Sequence, residues 1–317
     1  MLGLIFPGQG SQYVGMGKVF YENFKAVQET FEEGSDALNL DLKKLLFDGP
    51  DSELKLTHNT QPAILLVSVA LDRITKDLFK SQNKLCAGHS LGEYSALVSN
   101  GVLSFTDAIK TVRVRGEQMQ KAVPAGKGAM IAVLGCENEN VEKICRWVQE
   151  QTKKVLEPAN YNAPGQVVIS GDAEAAGWLT TNWKTSALAS EIKAKFIPLN
   201  VSAPFHCSMM MPAQKEMTPV LNGLKYSSAQ FPIIQNVTAQ ETTDANEIQK
   251  NLIAQISAPV KWVQSVIRLK ELGVTRCIEV GPGKVLAGLV KKIDSSSLST
   301  FNIETLEDYK KLETEAF

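Results

Sequence analysis

A serine set between glycines, a histidine after an apolar run and an arginine on an apolar helix face are the residues here best suited to chemistry. Gly88-His89-Ser90-Leu91-Gly92 fits the pattern G-x-S-x-G, in which a sharp strand-to-helix turn lifts a serine hydroxyl above a sheet. Apolar Leu85-Cys86-Ala87 before it and helix formers after it supply the strand and helix that such a turn needs. The chemistry is nucleophilic, through a serine ester, and it requires a base for the hydroxyl proton. The chain holds three histidines. His89 is the neighbour of Ser90, so the turn points its ring elsewhere. His58 precedes a predicted helix start, where a surface or capping role is the plainer reading. His206 ends Ala203-Pro204-Phe205-His206, just past a predicted strand at Lys195–Leu199, and the C-terminal ends of strands are where α/β folds carry chemistry. His206 is therefore the preferred base by elimination, with a hydrogen-bonded structural histidine as the alternative.

The third residue stands out by its angle. In a helix predicted from Phe105 to Ala122, with Ser104 as its N-cap, residues Ala108, Ile109, Val112, Met119 and Val123 form a stripe about 140° wide. Arg115 falls inside it. A core-facing guanidinium must be paired, because an isolated buried charge is too costly. Two readings stay open: an internal ion pair with Glu93 or Glu279, or a bidentate clamp for a substrate carboxylate.

Strands and helices must hold these residues in place. Strands are expected at Leu2–Phe6, Leu85–Ala87, Ala129–Leu134, Val155–Asn160, Val167–Ser170, Lys195–Leu199, Phe231–Val237 and Cys277–Val280. Helices are expected at Gly17–Leu38, Pro62–Leu78, from Gly92, around Val141–Val148, and at Glu174–Ser190, Pro212–Leu224, Asn246–Ile256 and Val263–Leu272. One more should end near Lys292, and the charged stretch from Glu304 should be a surface helix or frayed. The alternation predicts a mostly parallel sheet covered on both faces. The middle stretch reads β-α-β-β-α-β, the order of a ferredoxin-like unit. We expect a discontinuous core, residues 1–124 and 200–317, interrupted by a small ferredoxin-like domain over residues 125–199.

Composition narrows the function classes. With 33 Lys and Arg against 34 Asp and Glu the net charge is −1, so there is no electrostatic case for nucleic acid or a membrane surface. Five cysteines with no C-x-x-C pair, beside three histidines, argue against zinc and against a disulfide scaffold. MLGLIFPGQG has no basic region and its apolar run stops at Pro7, so neither a signal peptide nor a membrane span is expected, and the cytoplasm is the default compartment.

Motifs along nearly the whole chain resemble the malonyl-CoA:acyl carrier protein transacylases of bacterial fatty acid synthesis. They are FPGQGSQ at Phe6–Gln12, NTQPA at Asn59–Ala63, GHSLGEYSALV at Gly88–Val98 and RG-x-x-MQ at Arg115–Gln120. N-x-PGQVVISG follows at Asn162–Gly171, then APFH with MPA within Ala203–Ala213, PV-x-W at Pro259–Trp262 and EVGPGKVL at Glu279–Leu286. The resemblance implies an α/β-hydrolase-like core with a ferredoxin-like insertion. It implies Ser90 as the acyl-forming nucleophile, His206 as base and Arg115 as the binder of the malonyl carboxylate. It gives the oxyanion hole as the backbone N–H groups of Gln9 and Leu91, the second in agreement with the general rule for such turns. It also implies Gln255 as the residue that orients the histidine in place of an acid, and Met119 and Phe205 as walls of the acyl pocket. Phe205 resembles malonyl-selective members, where methylmalonyl-selective relatives commonly carry serine. Met209-Met210-Met211 is a softer run than members usually have, best read as packing.

The expected reaction is ping-pong transfer of malonyl from malonyl-CoA to the phosphopantetheine thiol of acyl carrier protein, by a monomer that needs no metal or redox cofactor. A serine hydrolase would share the elbow and the histidine but would not need the arginine. A non-catalytic carrier-binding module would not need Ser90. A transacylase for another dicarboxylic acyl group is the nearest rival.

Overall fold

The computed structural model describes residues 1–201 and 203–315 and builds two sheets. The chain lays down β1 (Leu2–Phe6) and β2 (Lys84–Gly88), then β3 (Gly128–Leu134), β4 (Leu156–Ala163), β5 (Gln166–Asp172) and β6 (Lys195–Pro198). It ends with β7 (Ile233–Ile234), β8 (Glu241–Thr242), β9 (Arg276–Glu279) and β10 (Ser299–Asn302). The larger sheet has the order β10-β9-β1-β2-β7-β8 and is parallel except for the β7–β8 pair. β1 is buried along its whole length, as a strand flanked on both edges and covered on both faces must be.

The smaller sheet is antiparallel, with the order β4-β5-β3-β6. Its strands alternate as the period of two requires. Ile131, Val133, Val167 and Ile169 face a separate core with the Asn138–Thr152 and Ala173–Asn182 helices, whereas Met130 and Val168 face the main core.

Several elements differ from the sequence reading. The helix expected from Pro62 runs from Thr57 to Thr75, with the proline inside it. Pro62 cannot donate to the His58 carbonyl, and Arg113 Nη1 takes that carbonyl instead at 3.0 Å. The Gly17–Leu38 stretch is two helices, Lys18–Tyr21 and Lys25–Leu38. Glu174–Ser190 is broken after Asn182 into a 3-10 turn and a short Leu188–Glu191 helix. The strand expected over Phe231–Val237 contracts to Ile233–Ile234, because the chain turns at Gln235, whose carbonyl accepts from Ala239 N at 2.8 Å, and Asn236 N donates to the Glu93 carboxylate instead of a strand. β8 and β10 had no clear sequence signal. The Phe105–Lys121 helix begins as expected, with Ser104 Oγ accepting from Asp107 N at 3.0 Å. All five cysteines are buried and unpaired.

Candidate active site

β2 runs into the Leu91–Ser99 helix with Ser90 as the joint, at φ 53° and ψ −109°. That left-handed backbone is strained for a non-glycine residue and is held by its surroundings. Asn236, two residues beyond β7 in the neighbouring strand, clamps the joint: its Nδ2 donates to Gly88 O at 2.6 Å, and its Oδ1 accepts from Ser90 N at 2.7 Å. The flanking glycines are steric necessities. A Cβ on Gly92 would stand 2.0 Å from Phe6 O, and one on Gly88 would stand 2.0 Å from the Gly92 carbonyl.

His206 lies on a loop that also takes a left-handed backbone, φ 60°. Glu157 of β4 fixes that loop by accepting from Ser208 N at 2.7 Å and Ser208 Oγ at 2.8 Å. The imidazole Nδ1 sits 2.9 Å from the backbone carbonyl of Gln255. A carbonyl only accepts, so Nδ1 carries the proton and Nε2 is left as acceptor. Nε2 is 2.8 Å from Ser90 Oγ, whose hydroxyl therefore donates to it. Gln255 touches the histidine through its main chain. Its side chain points elsewhere, with Oε1 accepting from Arg115 Nη2 at 2.8 Å and Nε2 donating to Glu93 Oε2 at 2.8 Å.

Arg115 is 1% exposed. Its Nη1 donates to Gln61 Oε1 at 2.8 Å, and its Nη2 reaches Ser90 Oγ at 3.2 Å. The carboxylate partners weighed for it from sequence are both engaged elsewhere. Glu279 caps the Val285–Asp294 helix, accepting from Leu286 N at 3.0 Å and Ala287 N at 2.7 Å. Glu93 accepts from Gln235 Nε2 at 2.7 Å, Asn236 N at 3.2 Å and Gln255 Nε2 at 2.8 Å. The guanidinium thus rests on neutral acceptors with one edge turned to the serine.

These groups share a cavity of about 180 Å³ lined by Ser90, His206, Arg115, Met119, Phe205 and Gln9. Leu91 opens its helix, so its N–H belongs to the first turn, which lacks intrahelical acceptors. Gln9 follows β1, whose Phe6 pairs with Gly88. Met130, Asn160, Asn162 and Val168 of the smaller sheet form the opposite wall. His89 turns away from the serine, with Nε2 2.8 Å from Asn162 Oδ1. His58 lies within the Thr57–Thr75 helix and does not line the cavity.

Two functional positions escaped the sequence reading: Gln61, which seats Arg115, and Asn236, which clamps the elbow. The available signal was polarity at the edge of an apolar run, Gln61 before Ala63–Leu71 and Asn236 after Ile233-Ile234. Among the described residues no group of three or more His, Cys, Asp or Glu could hold a metal, and no helix is long and apolar enough to cross a membrane.

Comparison with known proteins decides the family. Residues 4–310 match the acyl transferase domain family. A malonyl CoA-acyl carrier protein transacylase of Bacillus subtilis (strain 168) is 44% identical over 96% of this chain and 95% of its own length. The chain belongs to the malonyl-CoA:acyl carrier protein transacylase family. It is an acyltransferase, and the same family includes a Haemophilus influenzae transacylase 44% identical over 92% of this chain and 91% of its own. An acyl carrier protein S-malonyltransferase from Vibrio cholerae superposes with TM-score 0.92 at 42% identity, covering 98% of this chain and 99% of that one. A malonyl-transacylase solved with its type II PKS acyl-carrier protein superposes with TM-score 0.91 at 40% identity, covering 99% of each chain.

The acyltransferase site has a distinctive electrostatic setting. Burial first, and then the Arg115 charge, depress the His206 imidazole from 6.5 to about 3. Protonation would remove the acceptor, and the lowered value keeps Nε2 free well below neutral pH. At saturating acyl-CoA, where changes in substrate binding do not register, any acylation of Ser90 should therefore stay level between pH 8 and pH 5 and fail only as pH drops toward 3. A stopped-flow pH profile of acylation breaking near 6.5 would contradict this. The linkage has the matching sign: the unfolded chain binds a proton below 6.5 that the folded chain refuses, so His206 costs stability as pH falls from 6.5 toward 3.

Proposed function

We propose that this acyltransferase moves the malonyl group of malonyl-CoA onto the phosphopantetheine thiol of acyl carrier protein, by a ping-pong route through a malonyl-Ser90 ester. The observation that carries the reading is the approach of Arg115 Nη2 to within 3.2 Å of Ser90 Oγ, beside the 2.8 Å contact between Ser90 and His206. A nucleophile, a base and a buried cation in one cavity suit an acyl group that ends in a carboxylate. The names of the relatives support the same substrates, and the relative solved with its carrier protein supports the same kind of partner.

In the first half-reaction His206 Nε2 takes the Ser90 proton as Oγ bonds to the thioester carbon. The carbonyl electron pair moves to oxygen, and the backbone N–H groups of Gln9 and Leu91 hold that oxyanion, each worth about 3 kcal/mol in such sites. Collapse breaks the carbon–sulfur bond, and His206 returns the proton to the leaving coenzyme A thiolate. In the second half the phosphopantetheine thiol gives its proton to His206 and its sulfur attacks the ester carbon; collapse breaks the bond to Ser90 Oγ as His206 returns the proton to that oxygen, releasing malonyl-carrier protein and free Ser90. Gln255 orients the imidazole through its main-chain carbonyl, Arg115 binds the malonyl carboxylate, and Met119 and Phe205 bound the acyl group. Thioester to ester to thioester is close to balanced in free energy, so neither a metal nor a redox cofactor is needed.

The reading places residues 1–124 and 200–317 in an α/β-hydrolase-like core and 125–199 in a ferredoxin-like domain that closes the cavity. It assigns the enzyme to the cytoplasm as a monomer, serving fatty acid synthesis, without nucleic acid or membrane partners.

Intact-mass measurement after mixing with malonyl-CoA and no acceptor is the direct test. The enzyme should gain one malonyl group, and Ser90→Ala should gain none. A native enzyme that forms no adduct, or a Ser90→Ala enzyme that still does, would refute the scheme.

A further inference from the structure

Arg115 is a fully buried cation whose hydrogen-bond partners among the described residues, Gln61 Oε1, Gln255 Oε1 and Ser90 Oγ, are all neutral, and it lies over the Tyr94 ring, 5.6 Å from its centre. A guanidinium left so in a poorly solvated interior is costly unless a negative charge lies nearby. One does, behind a single amide. Gln255 accepts from Arg115 with its oxygen and donates to Glu93 with its nitrogen, both at 2.8 Å, and Glu93 is itself 1% exposed. A direct ion pair would satisfy Arg115 but would compete with an incoming carboxylate for the guanidinium edge that faces Ser90. A carboxylate held one amide away offsets the charge and leaves that edge open.

We propose that Glu93 is the resident counter-charge of Arg115 and tunes specificity from behind it, limiting how tightly the incoming acyl carboxylate is held. The inference rests on Arg115 receiving the malonyl carboxylate. When that carboxylate arrives, the enclosed site holds two negative groups around one cation, and repulsion from Glu93 loosens the grip. Binding that is too tight would stabilise the malonyl-enzyme without speeding its turnover.

Glu93→Gln separates charge from hydrogen bonding. Its side-chain oxygen can take the place of Oε2 and still accept from Asn236 N and Gln255 Nε2. Its amide nitrogen would face Gln235, whose Oε1 is buried without a partner and becomes the acceptor if that amide turns over. Assays belong at pH 8, above the value of about 7 to which burial raises the Glu93 carboxyl. There Glu93→Gln should lower KM for malonyl-CoA about tenfold and leave that for acetyl-CoA unmoved, so the malonyl preference rises. Glu93→Asp, which keeps the charge, should retain the native preference. A merely structural role would impair both substrates alike. An unchanged or reduced malonyl preference in Glu93→Gln, in a preparation whose native enzyme acylates Ser90, overturns the inference. A native enzyme that never acquires malonyl refutes the underlying reading first and this inference with it. A thermal double-mutant cycle of Glu93→Gln and Arg115→Gln reads the pair without substrate. The double variant should melt above the sum of the single losses, even if Glu93→Gln alone folds poorly. Strict additivity would show that the two charges do not communicate.

Discussion

Arg115→Ala is expected to lower kcat/KM for malonyl transfer on the order of a thousandfold, roughly 4 kcal/mol, the scale for losing one partner of a buried charge pair. The loss has two sources. The malonyl carboxylate would enter an enclosed cavity with no cation to receive it, and the oxygens of Gln61 and Gln255 would lose the donor that now sits 2.8 Å from each. Acetyl-CoA brings no carboxylate, so its transfer, or the hydrolysis of its serine ester, should be spared or should rise as the guanidinium leaves room. Competition between malonyl-CoA and acetyl-CoA, followed by the mass of the acyl-enzyme, measures both arms together. If malonyl keeps its advantage, Arg115 serves only to bind its two glutamines, and the carboxylate must be recognised elsewhere.

Gly92→Ala should be strongly damaging although it removes no functional group. Its Cβ would lie 2.0 Å from Phe6 O and 2.8 Å from Pro7 O, both main-chain atoms that cannot swing aside. β1 and the elbow would have to separate, at a cost on the order of 4 kcal/mol, since forced overpacking and backbone strain together reach that size. In a chain of this length that corresponds to a fall in Tm of roughly 6 °C. Activity should be lost even below the melting point, because the same separation displaces Ser90. Gly177→Ala provides the contrast. It lies in the Ala173–Asn182 helix with open space where its Cβ would go, and it should be neutral or stabilising by about 0.5 kcal/mol. Thermal melts of the two variants, in parallel, decide the point. Equal Tm values would show that the elbow is not sterically locked.

What could be read from the sequence follows how local the determining physics is. The elbow was legible because a strand, a turn and a helix adjoin within about a dozen residues, and Arg115 was legible because helical angle alone puts it among Ala108, Val112 and Met119. The start of the Thr57–Thr75 helix was not, since tolerance of Pro62 depends on Arg113, which arrives from the following long helix to occupy the His58 carbonyl. The immediate partners of Arg115 were not legible for a similar reason. Charge matching pointed to Glu93 or Glu279, whereas the fold interposes the Gln255 amide before one and spends the other on a helix terminus. Family likeness named Gln255 as the residue beside the histidine, but only the structure separates its main-chain contact with His206 from its side-chain contact with Arg115. β8 and β10 were missed as short strands at the sheet edges, where one neighbour supplies all the pairing and little hydrophobic pattern is required.

The place of β1 in the larger sheet has a consequence for biosynthesis. This strand is flanked by β2 on one edge and by β9, far later in the chain, on the other, with Leu2 opposite both Lys84 and Arg276. An emerging chain therefore carries an apolar strand with one edge open until β9 has left the ribosome. Such pairing gives a high contact order, which slows folding, and an unpaired apolar edge invites association with other chains. Ser90, Arg115 and His206 would all be synthesised before Gln255, whose carbonyl sets the imidazole proton, so activity should appear only once Gln255 is in place. Nascent chains halted ahead of β9 are where chaperone dependence should be greatest.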